Sequence, residues 1–238
     1  MRLIPSDSML RRIPVDVDRR TILFLDGIRY SIQSFEIASG RLAQTLTKLS
    51  KNNNSDEDLG EIISFATIDA WSIVDSIHRL RELLEQLPGL KKNTPELQIF
   101  LRRTSAIEEL RHYFQHFRTE IDSFVEKAMP LWGTISWSTI NDETGLSETH
   151  TIVPGTYFHG AWAATCTFDT QEGRFVDRVL LHAGPCKVDL ADIEDYIKEL
   201  IAWYQNWYES KYKGEKRHGA DMHMKFFIKP VPKDLSEN

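Results

Sequence analysis

The chain has 238 residues, 41% hydrophobic and 27% charged, a composition that excludes a disordered chain and supports a sizeable core without disulfide or metal staples. Its formal net charge of −6 argues against whole-surface binding to nucleic acid or anionic membrane and leaves such roles to local basic patches. No run approaches the ~18 apolar residues of a membrane span, and no signal-type apolar stretch follows the first five residues. The two isolated cysteines, Cys166 and Cys186, read as thiols of a reducing compartment. These features together point to a cytoplasmic protein.

The first periodic segment carries Ile28, Ile32, Phe35, Leu42, Leu46 and Leu49 at three- and four-residue steps, one face of a helix. A polar turn, residues 51–56, leads to a second segment with Ile63, Ala66, Ala70, Ile73, Ile77, Leu80, Leu84 and Leu87 on one face. Ser55 and Asp58 resemble a capping box at its start, and Pro88-Gly89 ends it. Thr94-Pro95 reads as an N-cap with proline at the first helical position. The third helix is predicted to run to about Met129, bending near Thr104-Ser105, with Ile107, Leu110, Phe114, Phe117, Ile121 and Phe124 as its stripe. Three long helices with short links imply antiparallel neighbours.

Beyond Pro130 the pattern alternates. Strands are expected over 132–140, 150–153, 161–168 and 175–181, the last two flanking a hairpin turn at Glu172-Gly173. Asp189 caps a final helix with Ile193, Ile197, Leu200, Ile201, Tyr204 and Tyr208 on one face. The predicted class is α+β, mainly helical. It is an antiparallel four-helix bundle (20–130 and 189–212) with an antiparallel β-meander (131–186) inserted before the last helix and a polar tail (214–238), all in one domain.

The segment that carries chemistry is residues 108–120, Glu-Glu-Leu-Arg-His-Tyr-Phe-Gln-His-Phe-Arg-Thr-Glu. With Leu110 at zero on a helical wheel and ~100° per residue, the apolar stripe centres near ~20°. Arg111 then falls at ~100°, Gln115 at ~140°, His112 at ~200° and His116 at ~240°. These four fill the face turned away from the core. Arg111-His112-x3-His116 resembles the signature of the HEPN superfamily: Arg, a polar residue, three free residues, then His. The resemblance implies a helical bundle that forms a homodimer with its motif helices face to face. It also implies RNA as substrate, Arg111 and His116 as the catalytic pair, and His112 as the supporting polar residue.

The residue chemistry suits that activity. Cleaving RNA through its own 2′-hydroxyl needs one proton removed from that hydroxyl and one delivered to the leaving oxygen, and imidazole titrates near neutrality. A guanidinium grips phosphate oxygens and offsets charge in the transition state. No metal and no cofactor are required.

The same residues carry other readings. Glu108, His112, His116 and Glu120 recur at four-residue steps, and two histidines with a carboxylate can hold zinc. They also form ordinary surface pairs one turn apart. Trp203, Tyr204, Trp207 and Tyr208 read as packing or as a base-stacking platform. Lys211, Lys213, Lys216, Arg217 and Lys225 with His218 and His223 form the one basic patch, a solvated tail or a phosphate contact. The competing functional class is a non-enzymatic module that binds a protein or a nucleotide.

Overall fold

In the computed structural model the described residues are 2–6, 8–51, 56–127, 129–140, 144–156, 168–169, 174–175, 179–211, 218 and 221–226. Among the described residues six helices and six strands follow in chain order: α1 (Arg19–Ser50), α2 (Asp56–Gln86), α3 (Pro95–Arg103), α4 (Ser105–Gln115), α5 (Phe117–Lys127), β1 (Thr134–Ile140), β2 (Ser147–Ile152), β3 (Phe168–Asp169), β4 (Arg174–Phe175), β5 (Val179–Ala183), β6 (Cys186–Asp189) and α6 (Leu190–Lys211). Helices and a small antiparallel sheet make this an α+β arrangement.

The two long helices form where the three-four apolar periodicity is unbroken. The α1 stripe Ile28, Ile32, Phe35, Leu42 and Leu46 is buried against Ala66, Ala70, Ile73, Ile77, Leu80 and Leu84 of α2. Asp18 begins α1 by accepting the Thr21 amide at 3.0 Å, which satisfies one donor of the open first turn. The capping box expected at Ser55 lies outside the described residues. Thr94 does occupy the N-cap of α3, ahead of Pro95, but makes no side-chain cap bond. Its hydroxyl donates back to Lys91 O at 2.7 Å instead.

The third helix, expected over 95–129 with a bend near Thr104-Ser105, is three helices, one break falling at the expected bend and a second at His116. At Thr104 (φ −104°, ψ 14°) the hydroxyl donates to Phe100 O at 2.7 Å and accepts from Arg81 Nη1 at 2.5 Å. A threonine bonded back onto the preceding turn competes with the helix ladder and bends it. The second break is at His116 (φ −110°, ψ 18°), whose amide is shared between the carbonyls of His112 and Tyr113. After it, the predicted stripe residue Ile121 is 47% exposed, and before it Tyr113, outside the predicted stripe, is buried at 6%.

The four-stranded sheet has the order β2-β1-β5-β6, all neighbours antiparallel, with β3–β4 as a separate pair. This differs from a meander, because β5 returns to the far side of β1. Residues Thr134 to Ser138 of β1 are all buried, as a central strand requires. Its small polar residues face hydroxyls on β2: Ser136 bonds Thr151 at 3.0 Å and Ser138 approaches Thr149 at 3.3 Å. The hairpin expected at residues 172–173 matches the β3–β4 pairing of Phe168 with Phe175, although the turn itself lies outside the described residues.

Strand β6 lies outside the expected strands; it follows a two-residue turn at Gly184-Pro185. Gly184 has φ +58°, and a Cβ there would run into the Tyr113 ring of α4, so the turn and α4 are fitted to each other. Asp189 caps α6 by accepting the Ala191 amide at 3.0 Å. One contiguous apolar core joins α1, α2, the broken third helix, β1, β5, β6 and α6. Helix α6 itself packs on α3 and β5. Among the described residues no helix is long and apolar enough to cross a membrane.

Candidate functional site

The motif sits at the C-terminal end of α4. Arg111 lies near its last turn, and His116 occupies the break before α5. The break exists because α5 starts a new helix around the aromatic cluster of Trp71, Phe114, Phe117 and Trp132. Trp71 lies 4.7 Å from Phe114, and Phe117 lies 4.9 Å from Phe114 and 5.5 Å from Trp132, centroid to centroid. The Trp71 indole N–H donates to Trp132 O at 3.2 Å, and the Tyr113 hydroxyl donates to Leu131 O at 3.1 Å. These contacts fix where the end of α4 stands relative to α2 and the strand that follows.

Arg111 is not on an open face, as the continuous-helix wheel suggests. Its side chain is 23% exposed and its Nη2 lies 3.3 Å from Asp75 Oδ1 of α2. Its Nε is buried with no hydrogen-bond partner, a donor left over after the ion pair is made. The guanidinium forms part of the wall of a groove of about 940 Å³ between α1, α2 and α4. Gly27, Ser31, Ser34, Ser72 and Ser76 line this groove with small side chains, and Trp71, Phe114 and Trp132 lie along it near Arg111.

His112 and His116 are exposed, with ring centroids 4.3 Å apart and planes inclined at 46°. The structure thus brings the two imidazoles together at the end of α4 and holds Arg111 on the α2 side of the same helix. Among the described residues no hydrogen bond or ion pair joins Arg111 to either histidine.

Glu108, one turn earlier, belongs to a different arrangement. It accepts from Arg81 Nε at 2.7 Å, and its oxygens lie 3.0 and 3.1 Å from His78 Nδ1. Arg81 also donates to Leu101 O at 2.6 Å. Glu108 therefore faces α2 and does not join His112 and His116, either as a third metal ligand or as a surface pair. Glu120 lies among the residues whose side chains are not described. Among the described residues, no group of three His, Cys, Asp or Glu side chains is placed to hold a metal ion.

Asp75, which pairs with Arg111, and Arg79 and Glu82, which line the same groove, are not among the candidates read from the sequence. A signal for them is present there. Phe65, Ile68, Ser72, Asp75, Arg79, Glu82 and Gln86 recur at three-four steps on α2, a second stripe beside the core one. In the sheet, Cys186 is a free, buried thiol that donates to Glu109 Oε2 at 3.4 Å. Burial, followed by that neighbour, pushes it up to about 11, which keeps it a thiol and not a nucleophile. Cys166 lies outside the described residues.

Of the aromatic cluster on α6, Tyr204 and Tyr208 are core residues, 2% and 1% exposed. Trp203 and Trp207 are half-buried and stacked, 6.3 Å apart. Lys211 stands over Trp207, 4.9 Å from the ring. Lys213, Lys216 and Arg217 of the basic patch lie outside the described residues.

No family model, curated protein or solved structure matches the chain.

Proposed function

We propose that the chain is a HEPN-like protein acting as a metal-independent endoribonuclease in a cytoplasmic homodimer. In this reading it is a four-helix bundle in which α3, α4 and α5 together take the place of the third helix. Arg111 holds a phosphate oxygen of the RNA. His116 of one copy takes the proton from the 2′-hydroxyl, whose oxygen attacks phosphorus. The bond from phosphorus to the 5′-oxygen breaks, and the second copy's motif delivers a proton to that oxygen, leaving a 2′,3′-cyclic phosphate. His112 orients His116. Two copies are needed because a single imidazole cannot start as base and acid together.

The observation that carries this reading is the state of the three polar groups at the end of α4. Two imidazoles are exposed and within 4.3 Å of each other, and a guanidinium in an open groove keeps a buried Nε without a partner. Asp75 holds Arg111 in place before substrate arrives, and phosphate must compete with that carboxylate.

The test is cleavage of a single-stranded RNA in chelator by the purified protein, beside Arg111→Ala and His116→Ala. Loss of at least about 100-fold in each variant is expected. Equal RNA loss with all three proteins ends the catalytic reading.

A second reading, a non-enzymatic module binding a protein, is favoured by one specific observation. Leu23, Tyr30 and Ile37 on α1 and Phe65 and Ile68 on α2 are large apolar side chains left 51–72% exposed. A folded protein without RNA cleavage in which those positions govern association would establish it.

A further inference from the structure

Most of the described tryptophans already have their rings covered. Trp71 and Trp137 are core residues, 7% and 5% exposed, and Trp137 is stacked on His150 with planes inclined at 16°. Trp203 and Trp207 stack on each other, and Lys211 stands over the second. Trp132 is different. It is 40% exposed, and its two ring neighbours, Phe114 and Phe117, meet it at 56° and 86°. Among the described residues no ring lies parallel to this indole, so its exposed part has no stacked partner.

An exposed ring on a loose turn makes a poor binding surface, because ordering it costs entropy. The turn that carries Trp132 is held on several sides. Gly133 donates its amide to Pro130 O at 3.0 Å, and at its φ of +75° a Cβ would run into His182 O of β5. The Tyr113 hydroxyl of α4 and the Trp71 indole of α2 hold the carbonyls of Leu131 and Trp132. Contacts from α2, α4 and β5 therefore fix the backbone on which the exposed indole stands, before any ligand arrives.

The indole lines the same groove as Arg111. The two share Phe114 as a neighbour: Arg111 Cζ lies 6.0 Å from its centroid, and the Trp132 ring lies 5.6 Å from it. A guanidinium for phosphate and a flat apolar surface for a base are the two groups that bind single-stranded nucleic acid. A duplex keeps its bases stacked on one another, so the pairing selects an unpaired strand. Asp75 and Glu82 offset Arg79 and Arg111 in the groove, so charge alone holds a strand weakly there and stacking has to supply the rest.

We propose that Trp132 is a base-binding residue: an unpaired nucleobase of RNA stacks on its indole while Arg111 holds the phosphate of a neighbouring nucleotide. The stacking rests on the reading of Arg111 as the phosphate-binding group of an RNA site. It adds what that site selects, an unpaired base of any identity, since every base has a flat face. It requires no cleavage.

The test measures, by fluorescence anisotropy, binding of the full chain to two labelled single strands of 2′-O-methyl backbone, which cannot supply the attacking oxygen. One strand carries its bases and the other is abasic with the same phosphates. Wild type is expected to bind the strand with bases at least about fivefold more tightly. Trp132→Leu keeps an apolar side chain but no flat ring. Its affinity for the strand with bases should fall about fivefold to 100-fold, its affinity for the abasic strand should stay within about twofold, and Trp132→Phe should keep most of the preference. Urea unfolding checks that both variants are folded. Equal loss on both strands, unchanged affinity in Trp132→Leu, no preference for bases in the wild type, or no binding by folded protein would each overturn the proposal. Cleavage of ordinary RNA is scored apart. A protein that cleaves RNA but binds unchanged in Trp132→Leu overturns the stacking alone, whereas base-dependent binding without cleavage upholds the stacking and ends the endoribonuclease reading.

Discussion

The two ends of α4 treat their polar residues in opposite ways. At the N-terminal end, Glu108 is locked to Arg81 and His78 of α2, and Arg81 in turn to Thr104 and Leu101 O. At the C-terminal end, Arg111 has one ion pair and an unpartnered Nε, and His112 and His116 lie against each other. One turn of helix separates a closed network from an open set. A closed network fixes the position of a helix, because each group is costly to remove and none is free to meet a ligand. An open set contributes little to folding and keeps its polar atoms available to a ligand.

The largest expected effect falls on the closed end. Arg81→Ala takes from Glu108 one of its two partners, His78 remaining, and removes the donor to Leu101 O and the Thr104 hydroxyl, at a site where the arginine is 10% and Glu108 41% exposed. A loss of about 2–4 kcal/mol in urea unfolding is expected, from three hydrogen bonds of a mostly buried guanidinium. A loss below about 1 kcal/mol would erase the contrast between the two ends.

Next is the contact that fixes the open end against the sheet. Gly184→Ala forces a side chain onto the Tyr113 ring at a left-handed φ, and about 1–3 kcal/mol should be lost. Wild-type stability in that variant would show that the turn does not position α4.

Two residues earlier on β5, His182 is lowered to about 4, by burial first and by Lys187 second. In the unfolded chain it takes its proton near 6.5. Because the folded value lies below the unfolded one, its contribution is present above pH 6.5 and is lost as pH falls toward 4. Stability should drop by about 1–2 kcal/mol between pH 7 and 5 on this account, and His182→Gln should flatten that slope. An unchanged slope contradicts it.

Most of the helical frame is legible from periodicity, because apolar residues at three-four spacing fall on one face only in a helix. Ile28 to Leu46 and Ala66 to Leu84 are buried as read. What stays hidden depends on partners distant in sequence. The bend near Thr104 is read from the sequence but its lock to Arg81 is not, and the ion pair of Asp221 with Arg29 spans 192 residues. The sheet order escapes for the same reason, since β1 pairs with β5 across a long connection that alternation cannot specify. At the candidate site, Arg111, His112 and His116 stand out in the sequence, and the two histidines are exposed as the wheel implies. The wheel places Arg111 on an open face only because it assumes an unbroken helix and no α2 beside it.

The smallest effect on folding and the largest on activity come from Arg111→Ala, measured twice on one preparation. Urea unfolding should place it within about 1 kcal/mol of wild type, as for a partly exposed ion pair. Cleavage of single-stranded RNA in chelator should fall by at least about 100-fold. A variant as destabilised as Arg81→Ala, or one that leaves RNA cleavage unchanged, would contradict the division of α4 into a structural end and a functional one.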